Sequence, residues 1–508
     1  MLFSSLAYLL FFPPVLLAFW LLPHRFRGAL LLVASYYFYM SWIPVYGILL
    51  FLLTLVNYFL GFRINKSVQS GNSAGTTDRG QGLKTARRWL TLGVVINLAT
   101  LSYFKYTDFL IDSWNVLVQA SAPWLHISAK AMSFPLQHVI LPLGISFFVF
   151  EFIHYIVDVY KGSKPINNFI SFSLFAAFFP SQIAGPIKRF QDFVKQIEAP
   201  RTFSSVNLER GLRLLLQGLF KKVALADNLS PIVAQGFSHA TTLGCGEAWL
   251  ASLAFALQIY CDFSGYTDMG RGSALMMGYE LPDNFNWPYI AKNLTDFWKR
   301  WHISLSSWLR DYLYIPMGGS KCSMPRRYFN LFMTMLLGGL WHGASWHYVV
   351  WGAFHGSGLI VCHSYDHWLA KNNAALANGL RAFHSSALGT FSSQIVTFAF
   401  VLVGWVFFRA ETVGQAVDVL KAMFAPQVVS SWLAFDLERY PIFAAVLAYC
   451  VYRLVEDSLG KITSIIPANV RQVLAPLPPA RVAIYVAIFI MALGLAPTSS
   501  SPFIYFAF

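Results

Sequence analysis

Two histidines stand where a bilayer-bound segment has little ordinary use for them. The stretch GGLWHGASWH, residues 338–347, lies between the apolar runs NLFMTMLL and YVVWGAF. An ionisable side chain at membrane depth is costly and points to function once it is sheltered from lipid. Gly339 and Gly343 form a G-x-x-x-G, as do Gly352 and Gly356, a spacing that lets helices approach closely and would enclose His342. Imidazole titrates near ~6.5, so an enclosed His342 can take a proton from a hydroxyl as a general base. His347 and His355 read as structural. The spacings of 5 and 8 residues along His342, His347 and His355 miss the i,i+4 pair of a helical metal site, and no metal is expected.

The second chemistry-bearing stretch is DFWKRWHISLSSWLRDYLYIPMGG, residues 296–319. Placed on one continuous helix, Trp301, Leu305, Trp308 and Tyr312 share a side. Lys299, Arg300, Ser304, Ser307, Arg310 and Asp311 share the other. His302 falls among Trp298, Leu309 and Leu313 on the apolar side, where a plain interfacial anchor helix needs no histidine. Asp296 and Arg300 are spaced for an i,i+4 ion pair, and Pro316 with Gly318 and Gly319 ends the helix.

The elements that must position these residues are membrane helices. The 508 residues are 56% hydrophobic and 12% charged, with 46 Phe and 16 Trp, whereas soluble domains carry roughly a quarter charged residues. The expected fold is an all-α polytopic membrane protein, one domain over residues 1–508. Candidate spans are 2–22, 28–42, 44–62, 89–111, 137–160, 247–262, 328–341, 346–364, 391–409, 438–456 and 482–497. Window length gives about nine to eleven crossings, and the shorter segments are re-entrant or tilted. The N-terminal run has no basic leader and no small-residue cleavage site, so it is expected to be a retained first crossing. There is no internal repeat of the inverted-transporter kind.

The net charge of +14 sits in short connections, as the positive-inside rule requires, and no basic soluble domain exists to bind nucleic acid. Residues 63–88 hold Arg63, Lys66, Arg79, Lys84, Arg87 and Arg88 against Asp78 and are expected to be a mobile loop on the inside. Arg25 and Arg27, and later Lys161 and Lys164, also mark inside connections. The sparsely charged 112–136 belongs outside, as do both termini. Residues 179–203 mix Pro, Gly, basic and aromatic residues and suggest an interfacial or re-entrant element. An amphipathic helix over 207–227 ends near Lys221 and Lys222. The five cysteines show no Cys-x-x-Cys, which argues against a disulfide framework or a zinc site.

The segments DFWKRWHISLSSWLRDYLYIPMGGS and FNLFMTMLLGGLWHGASWHYVVWGAFHG together resemble the core of the membrane-bound O-acyltransferase (MBOAT) family. The resemblance extends to CDFSGYTDMGRGSALMMGYELPDNFNWPY (261–289), PSQIAGPIKRF (180–190) and the tail PFIYFAF. It implies a ring of tilted helices around a central tunnel, a catalytic core over about 180–365 and a C-terminal motif at 502–508. It implies His342 as the principal catalytic histidine and His302 as a second functional residue. The donor is then acetyl-CoA or another acyl thioester, with no bound cofactor. Trp341, Trp298, Asp296, Arg300, Arg310 and Lys321 would line the donor site or tunnel, although the positive-inside rule alone also accounts for the basic ones. The resemblance further implies that Tyr505 carries the acyl group outward. In this sequence Ala507 stands where such tails more often have Gln, and an interfacial aromatic anchor explains the same residues. Extracytoplasmic SGNH-type O-acetyltransferases are the implied partners, membrane lipid surrounds the chain, and the bacterial inner membrane is the implied location.

Two other readings stay open at this point. A polysaccharide or lipid transporter would line a pathway with carboxylates, for which Glu151 and Asp158 beside His154 come nearest, though internal pairing suits them better. A lipid or protein O-acyltransferase would use the same core on another acceptor.

Overall fold

The computed structural model describes residues 1–73, 76–125, 128–425, 478–497 and 502–504. Among the described residues there is no β-strand, only a lone antiparallel bridge between Phe285 and Trp301, and the all-α expectation holds. The longer helices in chain order are α1 (Leu6–Leu21), α2 (His24–Met40), α3 (Val45–Ser73), α4 (Thr76–Leu125), α5 (Ile145–Tyr160), α6 (Phe169–Ala177), α7 (Phe190–Glu198) and α8 (Ser205–Leu219). They continue with α9 (Asp227–Ser238), α10 (Cys245–Met276), α11 (Leu294–Arg300), α12 (Ile303–Leu309), α13 (Met324–His342), α14 (Trp346–Lys371), α15 (Ala375–Ser385), α16 (Ala387–Arg409), α17 (Val413–Met423) and α18 (Pro478–Gly494).

The apolar segments read from the sequence fall on these helices, except 438–456, which lies outside the described residues. Among the described residues two helices, Val45–Gly71 and Ala387–Arg409, are long and apolar enough by themselves to cross a bilayer, and Leu6–Leu21 is a shorter apolar one. Three expectations need correction. Among the described residues, 63–73 and 76–88 are helical where a loop was expected: α3 runs on to Ser73 and α4 starts at Thr76. Gly71 and Gly82 let the two backbones touch, since a Cβ on Gly82 would meet Gly71. The 137–160 segment is helical only from Ile145, because Gly144 at φ +70° closes an extended stretch before it. The single helix expected over 296–319 is broken at Trp301–His302, for reasons given below.

The chain divides into two compact units, residues 1–208 with 273–397, and residues 209–272 with 398–507. In the first unit, α3 and α4 form an antiparallel pair in which buried Asn57 and Asn97 exchange amide hydrogen bonds at 3.2 and 2.8 Å. Each amide answers the other's donor and acceptor, which fixes register where water is absent. α13 and α14 pack most closely of all: a Cβ on Gly339 would meet the carbonyl of Tyr348, and one on Gly352 would meet the backbone of Met335 and Leu336. The G-x-x-x-G spacing thus gives backbone-to-backbone contact. Residues 179–188 are buried within the protein.

In the second unit, α8 passes into a π-helical turn over Phe220–Ala226. The widened turn directs Lys221 and Lys222 inward. Lys221 pairs with Asp268 at 2.6 Å, and Lys222 pairs with Asp227 and Asp262. At the helix contact beside it, Gly218 and Gly265 each leave room for the other's carbonyl.

Candidate active site

His302 owes its position to a chain reversal that helix periodicity conceals. The segment Asn284–Asn286 lies alongside residues 300–303: the N–H of Asn286 donates to the carbonyl of Arg300 at 2.9 Å, and that of Ile303 to the carbonyl of Asn284 at 3.0 Å. These bonds accompany the break at Trp301–His302 and leave His302 at φ +42°, in the left-handed region that few side chains favour. Ser304 locks the turn, donating to Asn284 Oδ1 at 2.6 Å and accepting the N–H of Ile187 at 3.0 Å. Trp301, Leu305 and Trp308 are buried, though not on one helix, and Tyr312, expected on the same side, is half-buried. His302 is fully buried.

His342 is the last residue of α13 and is 4% exposed. A helix end leaves its final carbonyls without intrahelical partners, and here α4 supplies them. Lys105 Nζ donates to the carbonyls of Trp341 and His342 at 2.5 and 3.1 Å, and the Tyr106 hydroxyl donates to that of Leu340 at 2.9 Å. A cation at a helix C-terminus also complements its dipole. Sequence reasoning missed Lys105; the available signal was a solitary lysine inside the apolar run 89–111.

The rings around His342 form one continuous cluster. Its imidazole lies 5.0 Å from Trp341 and 5.1 Å from Trp351, centroid to centroid, at nearly right angles. Trp341 is in turn 6.2 Å from His302 and packs on Phe147 and Phe150. On the other side Trp351 contacts His355 at 4.9 Å and Trp298 at 5.7 Å. His302, Lys105 and His355 are all near enough to act on His342 electrostatically. The two histidines singled out from sequence are thus brought together, and His355 joins them.

Trp298 also lines a cavity of about 500 Å³ whose wall includes Lys299, Ser306, Ser307, Arg310, Thr334 and His363. Of the residues expected to bind a donor or line a tunnel, Trp298 and Arg310 reach this cavity and Trp341 lies in the histidine cluster. Asp296 and Arg300 pair with each other at 2.8 Å, and Arg300 holds the carbonyl of Asn286 at 3.2 Å, so they brace the turn instead. Lys321 is exposed and does not line the cavity. Tyr505 lies outside the described residues. The carboxylates a transporter would need are internally paired. Glu151 takes two bonds from Lys188 at 2.7 and 3.0 Å, and Asp158 accepts from Gln191 and Tyr312, each at 2.7 Å.

A buried imidazole at a capped helix end, ringed by tryptophans beside a cavity with cationic walls, suits base-assisted attack on an activated acyl group. The profile of the MBOAT, membrane-bound O-acyltransferase family matches residues 97–380, a span that holds Lys105, His302, His342 and the whole cavity wall. The chain belongs to the membrane-bound O-acyltransferase family. Over 460 residues it is 42% identical to a protein of Pseudomonas aeruginosa named "Probable alginate O-acetylase AlgI", covering 89% of this chain and 80% of that one. It is 35% identical to the peptidoglycan O-acetyltransferase of Helicobacter pylori over 79% of this chain and 74% of the other. It is 30% identical to the teichoic acid D-alanyltransferase of Bacillus subtilis over 57% of this chain and 73% of the other. This MBOAT protein is therefore an acyltransferase and a membrane protein.

Proposed function

We propose that this acyltransferase takes an acetyl group from a thioester on the cytoplasmic side and passes it across the bacterial inner membrane for O-acetylation of an exported polysaccharide. The observation that carries the reading is the junction at Trp298, which belongs both to the cation-walled cavity and to the ring cluster around His342. A volume of about 500 Å³ falls in the range of small-ligand sites, roughly 300–1,000 Å³. Lys299 and Arg310 give an anionic donor its footing there. The named relatives transfer acetyl or D-alanyl groups to envelope polymers, and the more similar of those compared are the two acetylating ones.

In the reaction, His342 accepts the proton of the attacking hydroxyl as its oxygen bonds to the thioester carbonyl carbon. The C–S bond then breaks, and the thiolate takes the proton back from the imidazolium. His302 holds the ring wall against which the donor is oriented. The attacking hydroxyl is that of Tyr505: a phenol titrating near ~10 gives an ester of transfer potential between a thioester and a sugar ester, so no step runs steeply uphill. Both termini then face the extracytoplasmic side, where SGNH-type O-acetyltransferase partners complete the transfer.

The test is the purified chain with an acetyl thioester, comparing wild type with His342→Gln. Loss of general-base assistance predicts a fall of roughly 10²–10⁴-fold in acyl transfer at unchanged abundance in the membrane. Normal transfer by the variant overturns the reading. Absence of thioester turnover by the wild type favours a transporter, and the polymer that loses O-acetyl groups in a strain lacking the protein identifies the acceptor.

A further inference from the structure

The segment CDFSGYTDMGRG has no part in the chemistry above, yet it carries a carboxylate buried deep in the second unit. Asp262, on α10, is 1% exposed. Its Oδ1 receives Lys222 Nζ at 2.8 Å, and the same ammonium binds Asp227 Oδ1 at 2.8 Å. Its other oxygen does something an ordinary buried pair does not: Oδ2 accepts the backbone N–H of Ile504 at 2.7 Å. One helical turn along α10, Tyr266 stacks on Phe503 with centroids 4.3 Å apart and planes 21° apart, and Phe263 meets the same ring edge-on at 6.2 Å. A third hold lies upstream, where Asn228 Nδ2 donates to the carbonyl of Leu495 at 2.7 Å.

We propose that the Lys222–Asp262 pair is a clamp for the C-terminal segment, and that Asp262 is a positioning residue for acyl transfer through that segment. The inference rests on the Tyr505 reading above, because Ile504 is the residue immediately before Tyr505 in the sequence. The physical case is one of necessity. A single backbone N–H reaching a buried surface needs an acceptor, and a carboxylate is the strongest one available, giving a charge-assisted bond. An isolated carboxylate at such depth would cost several kcal/mol, and Lys222 offsets that cost from the opposite oxygen. The π-helical turn at Phe220–Ala226 is what brings Lys222 inward to do so. A clamp made this way is directional: it fixes the backbone of residue 504 through its N–H.

The test uses the full-length purified chain in detergent or vesicles with three variants. Asp262→Asn weakens the acceptor. Ile504→Pro removes the N–H donor while leaving Lys222, Asp227 and Asp262 untouched, so it reports even if the first variant folds poorly. Ile504→Ala keeps the N–H and serves as the control. Carboxypeptidase trimming of the C-terminus, followed by intact mass, should quicken roughly tenfold or more in Asp262→Asn and Ile504→Pro, the loss expected for one hydrogen bond to a charged group, and stay at the wild-type rate in Ile504→Ala. Acetyl transfer should fall in the same two variants through kcat, with the donor's KM unchanged. Equal trimming rates in all variants overturn the clamp. Faster trimming with undiminished transfer overturns its positioning role. Tyr505→Phe separates the premises: if that variant transfers acetyl normally the relay reading fails, whereas the trimming assay still decides whether the clamp exists.

Discussion

At residue 302 two demands meet in one side chain. The backbone is held at φ +42° by the bonds to Asn284 and Asn286, and the ring stands against Trp341 in the cluster that contains His342. The two demands separate by substitution. Asn tolerates the left-handed region better than most residues, and a β-branched side chain tolerates it worst. His302→Asn is therefore expected to be more stable than His302→Val by about 1–2 kcal/mol, while both lose acyl transfer. Thermal unfolding in detergent beside a transfer assay checks this, and a more stable valine variant would remove the strain argument. Lys105 illustrates the converse, a residue whose hydrogen bonds go to backbone. It holds the carbonyls of Trp341 and His342 and lies over the Trp341 ring, so it fixes where α13 stops while adding its charge beside the imidazole.

At the scale of elements, the α13–α14 hairpin carries His342 on one arm and His355 on the other, with glycine facing glycine between them. Because a Cβ at Gly352 would meet the main chain of Met335 and Leu336, neither arm has a flexible side chain that could yield. Gly352→Val is expected to cost at least about 1–3 kcal/mol, the usual penalty of overpacking, and to lower activity in step with folded yield; full activity and stability in that variant would show that the helices separate freely. This hairpin was readable in advance, since G-x-x-x-G states its own packing rule. The break at Trp301–His302 was not. Nothing between Asp296 and Tyr314 discourages a helix, and what interrupts it is pairing with Asn284–Asn286, residues more than a dozen positions upstream. The same holds for residues 63–88, expected to be a mobile loop, where Gly71 and Gly82 mark close approach of two helices.

At the scale of the whole molecule, composition and apolar periodicity made the all-α membrane class legible, and two histidine-bearing segments made half of the site legible. The rest was hidden because it depends on side chains far apart in sequence: Lys105 at the end of α13, and Trp298 as the link between cavity and imidazole. Charge counting alone also overstated the donor site. Six basic residues lie between 299 and 327, but Arg300 is committed to Asp296, Lys321 is exposed away from the cavity, and of the two that reach it, Lys299 and Arg310, the latter also pairs with Asp311 at 2.7 Å. If those two steer an anionic donor, the donor's KM should rise with ionic strength, since exposed charges are screened beyond about 8 Å at physiological salt. In the Lys299→Ala/Arg310→Ala double variant most of that salt dependence should vanish, with kcat little changed. A salt dependence that survives the double variant would assign the donor's contacts elsewhere.

The reciprocal amides of Asn57 and Asn97 bear on how the chain enters its membrane. The pair lies within two successive helices, 40 residues apart, and each amide meets the other's needs with no help from later segments. As the nascent chain leaves the ribosome, this one polar pair is therefore satisfied before the catalytic half has been translated, whereas Lys105 and Tyr106 on the same α4 wait for the carbonyls at the end of α13. The first long helical hairpin can thus set its register early, and the segment carrying His342 is then laid against it.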